Sequence, residues 1–462
     1  MAPSLPLEPG SHEGFLNWND KQVPCKFVLE PAKLARIVVY TNEWTTGGFP
    51  KDHIHHERLV GTLRTNQEVV LGHVYTQEIL GGRHLGTAQW ALVGLQISHY
   101  LEWERTDVHI SGLESILPRP IISTRFPDPA APGPVEFAAK VDRQPVEPST
   151  WDGVTVEPGY LLRTIDGNLY KHSIVSYGSA TFHAQAALPI EAWMNRWIEP
   201  LRSVVSISTG RQERVGVVRV RTTRGVQPAN AVLFGPGIHQ EYWEAERLAD
   251  GAGNPLIPLF DLENSPPLAQ LLGRWADLST DGPAHALLRL SQDVELPTSA
   301  RFLLLMQAAE SLHRGISAEE DKEYNTRKEE LRRIRSLLAQ AGHARESKFV
   351  KNYVEARRAY SLESRLRALL KESELESVVP LWADRLRDLE EELSAVGQVG
   401  TDLPGRLAQA RNAISHGTSR VSANALRDPT RLLELLVRVT VLSRLGFDLS
   451  QSMKRVEFLS KT

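Results

Sequence analysis

"TSARFLLLMQAAESLHRG", residues 298–315, is where the character of the chain changes. Its apolar residues predict a helix, with Thr298 or Ser299 as N-cap and Gly315 just past its end. Before it lie "CKFVLE" (25–30), "ARIVVYTNEW" (35–44), "LVGTLRT" (59–65), "QEVVLGHVYTQEIL" (67–80), "ALVGLQIS" (91–98) and "HSIVSYGSATFHA" (172–184). These short runs, rich in Val, Ile, Thr and Tyr and broken by Gly, Asn or Pro, predict strands and turns. The proline-rich "LPRPIISTRFPDPAAPGP" (117–134) predicts irregular surface chain. Ile190, Trp193, Trp197 and Leu201 share one helical face, "VGVVRVRTT" and "NAVLFG" add strand, and a helix is expected from about Pro267. After Leu296 the strand signals stop. "AEEDKEYNTRKEELRRIRSLLAQAG" (318–342) interleaves opposite charges at i,i+4 spacing, which suits a long exposed helix. The remaining runs complete four to six antiparallel helices. The expected fold class is α+β multidomain: a β-rich domain over residues 1–290, then an all-α helical bundle over 295–462.

The totals narrow the function classes. A chain of 462 residues is too long for a single core. Its hydrophobic share of 41% and charged share of 24% are those of an ordinary soluble globular protein. The single cysteine, Cys25, excludes an internal disulfide and a cysteine metal cage, and fits a reducing cytosol. The opening "MAPSLPLEPGSHEG" has neither the basic nor the apolar region of a secretory signal, and "FLLLMQAA" is far short of a membrane span. A soluble cytoplasmic protein without membrane contact is expected. The net charge of −3 divides into −8 over residues 1–295 and +5 over 296–462. The second figure permits contact with a polyanion, and equally describes solvated helical faces.

"LAQARNAISHGTS", residues 407–419, carries the chemistry. Asp402 or Thr401 can cap this helix, with Pro404 in its first turn, and Leu407, Ala410 and Ile414 form a core-facing stripe. Arg411 and His416 are five apart, so an ideal helix turns them about 140° from each other. Gly417 suits a left-handed C-terminal residue, which places His416 at the frayed end with a ring free to swing. An arginine can hold a phosphate bidentately, and a histidine can exchange protons near neutral pH. An Arg and a His so spaced also mark many ordinary helix ends.

The Arg-x4-His unit "RNAISH", with Asn412 as the polar residue after Arg411, resembles the signature of the HEPN superfamily of nucleotide-binding and RNA-cleaving helical domains. "RFLLLMQAAESLHR" looks like the first helix of its ApeA-like branch, closed by a glutamate and a histidine–arginine pair. "GFLNW", "HERLVGTLRTNQEVVLGHV" and "FDLENSPPLAQLLGRWADL" look like the amino-terminal domain of ApeA-type anti-phage proteins. The resemblance implies a metal-independent endoribonuclease with no cofactor, cleaving RNA, tRNA among the candidates, to abort infection. Arg411 and His416 would be catalytic. Asn412 would donate to a phosphate oxygen or orient the histidine. Glu310 would salt-bridge Arg411 or accept a proton, and His313 with Arg314 would be structural or phosphate-contacting. One histidine is thin for both general acid and general base. The resemblance therefore implies a homodimer or higher homo-oligomer joining two motifs, with the amino-terminal domain as sensor and a phage protein as trigger.

Other candidates weigh less. His53, His55 and His56 in "DHIHHERL", beside Asp52 and Glu57, offer metal-ligand types, but no third ligand is identifiable and a polar turn is the expected reading. "GTDLPGR" lacks the Gly-Lys-Ser/Thr of a phosphate-binding loop, and no Gly-x-Ser-x-Gly is present. Trp193 and Trp197 read as core, and Trp44 in "WTTGG" as a buried residue beside a turn. Two rival functions stay open. One is a non-catalytic HEPN-like bundle that dimerises or binds RNA or nucleotide. The other is a ligand-binding β domain with a helical dimeriser, which a pocket in the first 290 residues would mark.

Overall fold

The computed structural model describes residues 7–41, 53–79, 82–117, 121–125, 138–142, 146–165, 173–223, 228–243, 266–280, 284–291, 296–316, 318–353, 361–377, 379–395, 402–417 and 421–447. The chain folds as two compact units, Met1–Ala276 and Asp277–Thr462. The first is β-rich and the second helical, the architecture expected from the sequence. The expected domain boundary lies near 290; the two units meet between Ala276 and Asp277, within a helix.

Six strands open the first unit: β1 Gly10–Trp18, β2 Lys21–Leu29, β3 Ala35–Tyr40, β4 Ile54–Leu63, β5 Glu68–Ile79 and β6 Arg83–Leu95. They pair antiparallel in the order β1-β2-β3-β6-β5-β4, and β4 returns to β1, so the ring closes into a barrel. Alternation does the sorting: Leu16 and Trp18, Phe27 and Leu29, and Ile37 and Val39 are buried, while Phe15, Lys26 and Arg36, each just before the first of its pair, face out. The β1–β2 hairpin turns on Asn19 and Asp20, both at positive φ (47° and 61°), the geometry whose twist suits a two-residue hairpin. At Gly72 the Trp90 indole fills the space a side chain would need.

The sheet continues beyond the barrel. β7 Trp103–Ile110, β10 Ser149–Trp151, β11 Val154–Ile165, β12 Ser173–Leu188, β13 Val215–Thr222 and β14 Ala229–Phe234 extend it in the order β10-β11-β12-β7-β13-β14-β6. The edge of β6 is shared: Arg83–Ala88 pairs with β3, and Ala91–Leu95 with β14. The proline-rich crossing departs from expectation. Its Ile121–Arg125 is a strand, β8, paired with β9 Ala138–Asp142, because the prolines flank this β-branched run rather than interrupt it. After the short helix α1 Leu113–Ile116, a longer helical run comprises α2 Ile190–Trp193, a π turn Met194–Ile198 and α3 Glu199–Thr209. Ile190, Trp193, Trp197 and Leu201 are buried along it, as their spacing predicts. Two carboxylates, Glu114 and Glu213, are also buried. Burial, reinforced by Glu213 and opposed by backbone hydrogen bonds, pushes the Glu114 carboxyl up to about 7. Burial also pushes the Cys25 thiol up to about 12, so it is no nucleophile at neutral pH.

The helices α4 Leu268–Thr280, α5 Ala284–Ser291, α6 Thr298–Ile316, α7 Ala318–Gln340, α8 Ala344–Tyr353, α9 Leu362–Glu372, α10 Arg387–Ala395, α11 Leu403–His416 and α12 Ala423–Arg444 complete the chain. Among the described residues seven of these, α6 to α12, follow Leu296, more than the four to six expected there, because breaks such as left-handed Gly342 divide long helical runs. Helix α6 starts at Thr298 and runs through Gly315 to Ile316, so that glycine lies inside the helix rather than past it. α7 is exposed along nearly all its described side chains, as its charge pattern predicts. α12 starts upstream of Asp428, because Ser422 caps it by accepting from the Ala425 amide at 3.1 Å, and it carries Pro429 inside. Within the bundle α6 packs against α5 and α12 and also touches α9 and α11. No helix of the described residues is long and apolar enough to cross a membrane.

Candidate active site

Helix α11 is fixed at its start. Asp402 accepts from the Gly405 amide at 3.0 Å, the N-cap bond expected of that residue, and Pro404 occupies the first turn. The other carboxylate oxygen of Asp402 accepts from Arg367 at 2.6 Å, and Arg367 also donates to Glu363 at 2.8 Å. Partial burial alone would raise the Asp402 pKa; the Arg367 bond and the Gly405 amide outweigh it and hold the carboxyl below its ordinary range. Arg406 pairs with Glu390 of α10. Leu407, Ala410 and Ala413 are buried and Ile414 half-buried, so the apolar stripe anchors the helix face.

The far end carries the candidate residues. Arg411, half-buried, approaches Glu310 of α6 at 4.0 Å and donates to Asn412 at 3.2 Å. Glu310, Arg411 and Asn412 therefore share one corner where α6 meets α11. His416 is the last residue of α11 and exposed, and Gly417 terminates the helix at φ 61°, in the left-handed region that glycine tolerates. Among the described residues no hydrogen bond or ion pair joins His416 to the other three. His313, one turn beyond Glu310, is only 5% exposed, which places it in the packing beneath this corner rather than on its surface. Arg314 lies where side chains are outside the described residues, as do Thr401 and Trp44.

One residue that sequence reasoning missed supports this corner. Arg444, at the end of α12, donates to the Leu312 carbonyl at 2.9 Å and grips Glu372 of α9 through two bonds of 2.9 and 3.2 Å. It ties the last turns of α6 to two other helices, and its partners lie too far away in sequence for any local pattern to mark it. A second ion pair, Arg301 with Glu434 at 3.3 Å, joins α6 to α12 higher up.

Residues 303–451 match the family model described as Apea-like HEPN. The helical unit is an Apea-like HEPN domain. No curated protein and no solved structure matches the chain. The HEPN match runs from the first turns of α6 past α12, so it encloses Glu310, His313, Arg411, Asn412 and His416, while the β-rich unit lies outside it. The other sequence candidates do not form a second centre. Strand β4 begins at Ile54, which leaves His53 outside it. His55 stacks on His73 at 6.0 Å, whereas His56 meets Thr76 at 3.2 Å and the Trp18 ring at 5.2 Å. Among the described residues no group of three metal-ligating side chains converges.

Proposed function

We propose that the HEPN domain is a metal-independent endoribonuclease of bacterial anti-phage defence, acting in the cytoplasm through a site shared by two copies of the chain. One observation carries the reading. Arg411, steadied by Glu310 and Asn412, and a solvent-facing His416 close the same helix. In the reaction the ribose 2′-oxygen forms a bond to phosphorus and the bond from phosphorus to the 5′-oxygen breaks, leaving a 2′,3′-cyclic phosphate. One His416 imidazole takes the 2′-hydroxyl proton, and the imidazolium of the second copy gives a proton to the departing 5′-oxygen. The Arg411 guanidinium stabilises charge growing on the phosphoryl oxygens, and Asn412 supplies a further donor. Glu310 keeps Arg411 oriented; buried His313 supports the corner by packing. The β-rich unit would serve as sensor, with a phage protein as trigger, a role that rests on fold-level analogy.

The test uses labelled RNA, tRNA included, with the full-length protein in EDTA. The parent cleaves; His416→Ala and Arg411→Ala lose about 10²-fold or more while melting at the parental temperature. Cleavage by His416→Ala at the parental rate, or abolition by EDTA, overturns the reading. The scaffold alternative draws on the fact that Arg411 already has an intrachain partner. Equal toxicity and identical RNA profiles on inducing the parent and Arg411→Ala in bacteria would favour it.

A further inference from the structure

Strands β11, β12, β7 and β13 present one face to a half-open cavity of about 570 Å³, a size typical of small-molecule sites. Across the β7–β13 pair Arg105 stands opposite Arg221, and Asp107 opposite Arg219; all four line the cavity. Asp107 accepts from Arg105 at 2.9 and 3.0 Å and from Thr181 at 2.8 Å, and pairs with Arg221 at 3.2 Å. One carboxylate thus holds two guanidinium groups in place, with the Arg219 guanidinium beside them. Glu157 stands opposite Thr181, which stands opposite Asp107, so this acid sits two strand spacings, roughly 10 Å, from Asp107 on the side away from β13. Tyr242 also lines the cavity, its ring tilted against those of His109 at 5.2 Å and Tyr177 at 5.4 Å. Behind it His109 is fixed, its Nδ1 donating to the Gly178 carbonyl at 2.7 Å and its Nε2 accepting from the Trp243 amide at 3.1 Å. That pair of bonds requires the neutral ring, so the floor adds no charge.

We propose that this cavity binds a nucleoside monophosphate, its phosphate on the Arg105–Arg219–Arg221 block, its ribose hydroxyls donating to Glu157 and its base against Tyr242. A phosphate monoester is an anion at neutral pH, and planar guanidinium forks suit its oxygens. A flat base suits the tyrosine ring, and a hydroxyl donor suits Glu157 at the far side, whose other neighbour is His183 at 3.7 Å. The site lies wholly in the β-rich unit and does not rest on the ribonuclease reading.

Calorimetry on the full-length protein tests it with AMP, GMP, CMP and UMP, and with inorganic phosphate and adenosine as separate probes. At least one mononucleotide binds about tenfold or more tightly than either phosphate or adenosine alone. Arg221→Gln weakens that nucleotide by about tenfold or more, and Glu157→Gln weakens it without changing the response to phosphate. If Arg221→Gln unfolds, Tyr242→Ala provides the second arm, with weaker nucleotide binding expected. The proposal fails if none of the four nucleotides outbinds inorganic phosphate, or if folded Arg221→Gln or Tyr242→Ala binds as the parent does.

Discussion

At the scale of single residues, the end of α11 depends on Gly417. Its φ of 61° penalises any side chain, although a Cβ built there meets nothing within 4 Å. The cost of Gly417→Ala is then backbone strain alone, about 1 kcal/mol, measurable by urea denaturation, and Gly417→Asn costs less. Arg411→Lys keeps a positive charge near Glu310 but loses the planar fork. Cleavage is expected to fall by about tenfold or more in single-turnover assays, with the melting temperature unchanged. Gly417 and the Asp402 cap were legible because caps are local: the residue that makes the bond sits within four positions of the group it satisfies. Nothing local ties Glu310 to Arg411, so that pairing was available only through resemblance. His313 illustrates the converse, since its position beside Glu310 in sequence does not reveal that the helix turns it inward.

At the scale of elements, α11 is held by its first turn. Asp402→Ala should destabilise the helical unit by about 1 kcal/mol in chemical denaturation, while Asp402→Asn retains most of the cap. The two variants also differ from the parent in acid. The Asp402 carboxyl is held below its ordinary range. Its contribution is therefore complete above the unfolded value of about 4 and fades as pH falls through the lowered folded value. Asp402→Asn removes that part of the acid limb, which denaturation at pH 6 and pH 3 would detect. Element type was well marked in the sequence, as in the buried stripe from Ile190 to Leu201. Element ends were less so: Gly315 and Pro429 are residues that usually punctuate, yet α6 and α12 run through them. The Asp152–Gly153 turn between β10 and β11, both at positive φ, shows that a short hairpin signal was present in "WDGV" and went unread.

At the scale of the molecule, the β-rich unit carries a pH dependence opposite in sign to that of Asp402. The buried Glu114 carboxyl titrates at about 7, above its unfolded value of about 4.3, so the folded state holds the proton more tightly. Its share of stability is complete below the unfolded value and is lost as pH rises through about 7. Glu114→Gln, which keeps the shape without the charge, should flatten the fall in melting temperature between pH 5 and pH 8; an unchanged slope would refute the assignment. Barrel closure itself was not legible. Each strand shows its own alternation, but which strand neighbours which is decided by contacts far apart in the chain, as when β4 returns to β1. The shared edge of β6 has a consequence for synthesis. Among the described residues, Ala91–Leu95 find their partner on that side in Ala229–Phe234, more than 130 positions downstream. While a ribosome translates the intervening segment, the nascent polypeptide carries a barrel with bare amide and carbonyl groups along that stretch. Such an edge invites sticking between neighbouring nascent chains and engagement by chaperones until β14 emerges to cover it.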